Sequence, residues 1–204
     1  AKSAKFVASG TLASGVTVGL KSNGQVGAVS IVASSPVVFE TGYVQFTQAA
    51  FDSNSNKVVV AYMDSGNSNY GTVVIGTVSG STISFATPVV FVSASAQYTF
   101  PVFDPSTNKI VLLYSTPAAK GQALVGTVSG ASISFGTAVT FEGSDDAEYI
   151  AAVYDAKDQK VVIAYRGVSN YGYAIVGTVS GTSISFGSKA TLYSGIIEFI
   201  GIAY

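Results

Sequence analysis

Gly76-Thr77-Val78-Ser79-Gly80 returns almost letter for letter as Gly126-Thr127-Val128-Ser129-Gly130 and as Gly177-Thr178-Val179-Ser180-Gly181, at intervals of 50 and 51 residues. Between the copies the chain alternates short apolar runs with Gly, Ser and Asn turns and shows no helical period. A repeat of this length built from strands is the sequence form of a propeller blade, whose sheet buries its faces only by stacking on neighbouring blades. The fold expected is therefore all-β, a β-propeller.

Working outward from the motif, each copy turns the chain into a short strand ending in Phe85, Phe135 or Phe186. Ahead of it lie a strand ending in Tyr62, Tyr114 or Tyr165, a turn opened by Asp52, Asp104 or Asp155, and a first strand before that Asp. Four strands per unit are expected. Residues 43–95, 96–145 and 146–195 read as three blades. Pro101 falls inside the first strand of the second blade, which suits an edge strand because proline has no N–H to donate.

The terminal pieces look like parts of a fourth blade. Residues 16–20, 26–32 and 37–39 read as three strands, and Pro36-Val37-Val38-Phe39 matches Pro88-Val89-Val90-Phe91. Phe199-Ile200-Gly201-Ile202-Ala203-Tyr204 aligns with the first strands at 46–51, 98–103 and 149–154. Joining residues 1–42, as outer strands, to residues 196–204, as inner strand, gives one propeller domain over 1–204. It has four blades and is closed by pairing the two termini in one sheet, which leaves no sheet edge exposed. An excerpt of a longer ring, or an open fragment pairing with another subunit, is the alternative. Ala1 rather than Met opens the chain, as expected of a processed product or an excerpt.

Composition narrows the function classes. With 10 basic and 11 acidic residues and no basic run, nothing draws in a nucleic-acid backbone. The absence of Cys and His removes disulfides, thiol nucleophiles, His acid/base chemistry and the common zinc ligand sets. No apolar stretch of 18 residues suggests membrane insertion. The acids Asp64, Asp145, Asp146 and Glu148 set no pair at a legible separation, so a glycosidase-like carboxylate couple is not indicated. No enzymatic activity, cofactor or metal is expected.

Several residues invite a binding role, and each also has a scaffold reading. Asp52, Asn54 and Asn56 are spaced like the start of a calcium loop but lack its Gly and bidentate Glu, so turn formation accounts for them. Gly76, Gly126 and Gly177 belong to turn motifs without the lysine of a phosphate loop. Phe85, Phe135 and Phe186 fit packing between blades. The loops after Tyr62 and Tyr165 carry Asn69-Tyr70-Gly71 and Asn170-Tyr171-Gly172, an aromatic face beside an amide that suits a sugar, a protein or a plain hairpin shoulder. Arg166, the only arginine in the chain, sits near the second pair and either fixes a loop or meets an anion.

Taken together, the Asp turn, the Lys-Val-Val-x-Ala-Tyr strand and the Gly-Thr-Val-Ser-Gly-x-x-Ile-Ser-Phe hairpin resemble a repeat found in propeller-like structural or tail-fibre-like proteins of marine bacteriophages. The resemblance covers residues 43–192. It implies a non-enzymatic virion or surface-assembly module, located on a virion or outside the cell, that contacts other virion or surface proteins. The alternative is a carbohydrate-binding propeller presenting Asn69, Tyr70, Asn170 and Tyr171 to glycans.

Overall fold

The computed structural model describes residues 7–14, 17–28, 35–118, 120–144 and 147–203. The chain divides into two compact units, Ala1–Ser35 and Pro36–Tyr204. Among the described residues both are all-β: four antiparallel sheets account for the strands, and helix is confined to two single 3₁₀ turns.

The first unit holds a two-stranded hairpin, β1 (Val18–Leu20) with β2 (Val26–Ala28), closed by a turn at Asn23 and Gly24. These strands are shorter than the sequence suggests. Residues 16 and 29–32 of the expected strands lie outside the described residues. In the second unit, residues 37–39 form no strand, although Phe39 is well packed.

The second unit contains three sheets of one design. In the first, β3 (Val44–Asp52), β4 (Lys57–Asp64) and β5 (Tyr70–Ser79) form an antiparallel meander, with β6 (Thr82–Phe85) and β7 (Val89–Ser95) both pairing with β5. The expected four strands are thus five. The outer layer is split because β6 covers residues 76–79 of β5 while β7 covers residues 70–73. The second sheet repeats this with β8 (Gln97–Asp104), β9 (Lys109–Thr116), β10 (Lys120–Ser129), β11 (Ser132–Phe135) and β12 (Val139–Glu142). The third uses β13 (Glu148–Asp155), β14 (Lys160–Arg166), β15 (Gly172–Ser180), β16 (Ser183–Phe186) and β17 (Ala190–Tyr193). Pro101 lies in β8, an edge of its sheet, where the missing N–H breaks no ladder.

Local chemistry explains the recurring letters. The Asp52 carboxylate accepts the amides of Asn54 and Ser55 at 2.9 and 3.0 Å, and Asp104 and Asp155 hold the matching turns in the same way. Gly80, Gly130 and Gly181 turn β5, β10 and β15 back with φ near +60° (58°, 61° and 60°), a conformation that costs only glycine nothing. The β-branched runs of β4, β9 and β14 lie mid-sheet and supply much of the buried core, as strands covered on both faces should.

Adjacent sheets are locked by a repeated aromatic socket. Phe91 sits 5.1 Å from Tyr114 and 6.2 Å from Phe135 of the following sheet. Phe141 meets Tyr165 at 5.2 Å and Phe186 at 5.9 Å, and Phe39 meets Tyr62 at 5.3 Å and Phe85 at 5.6 Å. Phe39 therefore fills on the first sheet the place that each sheet's last strand fills on the next. At the far end Leu192 occupies the corresponding position and is exposed.

The expected inner strand at residues 199–204 is not formed. Residues 199–203 belong to no ladder, and Tyr204 lies outside the described residues. Strand propensity alone does not make a strand when no partner supplies the hydrogen bonds.

Candidate functional site

The strand pairings give the sheets two ends. Val44, Asp64 and Tyr70 align at one end through their ladders, so the β4–β5 loop, the entry to β3 and the exit of β7 gather there. The Asp52 turn and the Gly80 turn lie at the other. The first will be called the loop end.

At the loop end the backbone makes an unusual move four times. Phe46, Tyr98, Tyr149 and Phe199 have φ of 52°, 51°, 49° and 55°, a left-handed conformation that bulky side chains rarely adopt. In the first three the ladder slips at that residue, between Gln45 and Gln48, Gln97 and Phe100, and Glu148 and Ala151. These are β-bulges, and a bulge re-aims the side chain it carries. The result is a continuous row of rings, with centroids 4.7 Å apart from Phe46 to Tyr98, 5.3 Å from Tyr98 to Tyr149 and 5.2 Å from Tyr149 to Phe199. The Thr99 hydroxyl donates to the Phe46 carbonyl and ties two inner strands together.

Beside this row is a cavity of about 300 Å³. Phe46, Tyr98 and Tyr149 line it, with Phe100, Ile150 and Ile200 adding apolar surface. Gln48 and Thr99 are its polar members. A second space, about 510 Å³, opens between the first two sheets around Pro88 and Ser132 and has no aromatic or charged lining.

All five residues singled out as binding candidates stand at the loop end, in structural employment. Asn69 and Asn170 have φ of 62° and 60°, a conformation that Asn tolerates better than most residues. Their carbonyls accept the amides of Ala96 at 3.2 Å and Ile197 at 3.1 Å, clamping the segment that leads out of each sheet. Tyr70 is half-buried, and Tyr171 packs against the core. Arg166 is ion-paired with Glu148, lies 3.8 Å from Glu198, and stacks 4.7 Å from the Tyr149 ring centroid. The single arginine thus steadies the aromatic row.

The strongly shifted groups belong to the sockets between sheets. Burial alone would push the Glu142 carboxyl up. The Lys189 ammonium at 2.6 Å, the Ser144 amide at 2.8 Å and the Tyr165 hydroxyl at 3.1 Å instead hold it below the ordinary glutamate value. Burial, and then the Glu142 charge, push the Tyr165 phenol up. Burial pushes Tyr114 up to about 12. Tyr62 is raised too, by burial first and then by Glu40 and Asp64. These are packing sites. Among the described residues no cluster of three or more potential metal ligands occurs, and no helix is long and apolar enough to cross a membrane.

The sequence aligns the four aromatics at positive φ but gives them the look of plain strand residues. The signal that marks them is the acid or amide before each ring, in Gln45-Phe46, Gln97-Tyr98, Glu148-Tyr149 and Glu198-Phe199. No family model matches the chain, and no curated protein matches it either.

Proposed function

We propose that this chain is a non-enzymatic structural module of a virus particle or another extracellular surface assembly, working through protein–protein contacts. The observation that carries the reading is the character of the loop end. Tyr43, Val168, Tyr193 and Ile196 are exposed there, beside Phe199 at 82% exposure. Five exposed apolar side chains gathered at one end of a molecule mark a contact surface; the other end exposes Phe51 and Val78 beside its Asp-capped turns.

The ring belongs to the same proposal. Phe39 occupies the socket that a preceding blade would fill, and Phe199 repeats the positive φ and ring stacking of the inner strands. Residues 1–42 and 196–204 are then the outer and inner parts of a fourth blade, completed within the chain. Tyr43, Val168 and Ile196 remain at the loop end for neighbouring proteins.

Sedimentation of the purified chain over a range of concentrations tests the reading. Association that Val168→Asp and Ile196→Asp abolish together is the expected result. A strictly monomeric chain that binds glycans saturably on an array would replace it with carbohydrate binding.

A further inference from the structure

The cavity beside the aromatic row is not needed for contacts between proteins, and its construction is specific. Three separate bulges, each holding a large side chain at positive φ, deliver Phe46, Tyr98 and Tyr149 to its wall. Such backbone is disfavoured for bulky residues, and clusters of it occur where a site must be shaped. A plain strand would have packed the sheets without it.

We infer that this cavity is a binding site for an uncharged, apolar small molecule carrying an aromatic or branched aliphatic group. Its volume, about 300 Å³, is at the small end of the range for ligand sites. No charged side chain lines it. Arg166, stacked on the lining ring of Tyr149, is committed to Glu148 and Glu198, so among the lining residues an anion finds no cationic partner. The lining is more apolar than polar; its polar side chains are Gln48, Thr99, whose hydroxyl already donates to the Phe46 carbonyl, and the phenols of Tyr98 and Tyr149. Aromatic faces and the Ile150 and Ile200 side chains reward apolar contact.

The test uses N-phenyl-1-naphthylamine, a neutral dye whose emission rises in apolar surroundings, titrated into the full chain. One saturable site per chain is expected. Gln48 is exposed on an edge strand, so Gln48→Trp should place an indole across the mouth without disturbing the core and weaken the dye by about tenfold or more. Circular dichroism checks that this variant folds. Leu192→Ser and Ile196→Ser, which remove exposed apolar groups away from the cavity lining, should leave the titration unchanged. No saturable binding overturns the inference, as does binding that Gln48→Trp spares and the two serine variants remove.

Discussion

Replacing Phe141 with alanine tests the socket that joins one sheet to the next. The ring is 6% exposed and sits between Tyr165 at 5.2 Å and Phe186 at 5.9 Å, both in edge-to-face arrangements. Burial of a phenylalanine side chain contributes roughly 1.5–3 kcal/mol, and each aromatic pair adds about 0.5–1.5 kcal/mol. The walls belong to β14 and β16, both held in register by β15, so the space resists collapse. Phe141→Ala should therefore cost about 3–5 kcal/mol, the usual range for such truncations. In a domain of this size, each kcal/mol lowers the melting temperature by about 2–4 °C, so a fall of roughly 6–20 °C is expected. Urea unfolding followed by near-ultraviolet circular dichroism gives the free energy directly, and tyrosine and phenylalanine supply the signal because the chain has no tryptophan. Phe141→Leu puts in place the residue that the last sheet carries at the same position, and should recover about half of the loss. A cost below about 1 kcal/mol with an unchanged denaturant slope would refute the argument, because the socket would then be a contact without consequence.

Three further outcomes follow from the same sockets. The Glu142 carboxyl is held below its ordinary value of 4.5, so its contribution is present above that pH and is lost as pH falls below it through the folded-state value. Wild-type stability should drop more steeply with acid there than that of Glu142→Gln, as read from urea midpoints across the acid range. The Tyr62 hydroxyl is buried with no partner among the described residues, so Tyr62→Phe should be neutral or stabilising by up to about 1 kcal/mol. Tyr165→Phe, which takes one of three donors from the buried Glu142 carboxylate, should instead cost about 1–3 kcal/mol, and paired melting curves compare the two. Finally, Tyr62, Tyr114 and Tyr165 resist ionisation while folded, although their unfolded forms ionise near 10. Stability they contribute is intact below that pH and declines above it. Absorbance at the phenolate band should show them titrating only with the alkaline unfolding transition.

The parts of this fold visible in the sequence are those set by neighbours along the chain. The Asp52, Asp104 and Asp155 turns are bonds to amides two or three residues on, and Gly80, Gly130 and Gly181 answer a local demand for positive φ. The β-branched runs at 57–62, 109–114 and 160–165 show their burial in their composition. What stayed hidden depends on partners distant in sequence. Val89-Val90-Phe91 reads as the next strand in order, but nothing local says that it shares β5 with Thr82–Phe85. The bulges at Phe46, Tyr98 and Tyr149 run against the preference of aromatic residues for ordinary strand geometry. They are held by neighbouring rings, by the Thr99 hydroxyl and by Arg166, contacts that no single stretch of sequence contains. The recurring Asn69 and Asn170 were legible, but their purpose was not. Each serves through its backbone, an employment that a side-chain reading misses.

The divided outer layer of each sheet also governs how the molecule behaves in a crowd. A chain approaching edge-on meets β6, β11 or β16, four residues long, and then a three-residue interruption before the second short strand. Fibrillar stacking requires six or seven consecutive residues in register. In the second and third sheets both rim strands stop short of that length, and in the first the seven-residue β7 is broken by two register shifts against β5, so a would-be template meets only a broken row of amides and carbonyls. Many copies can then stand at close quarters without one sheet growing into the next.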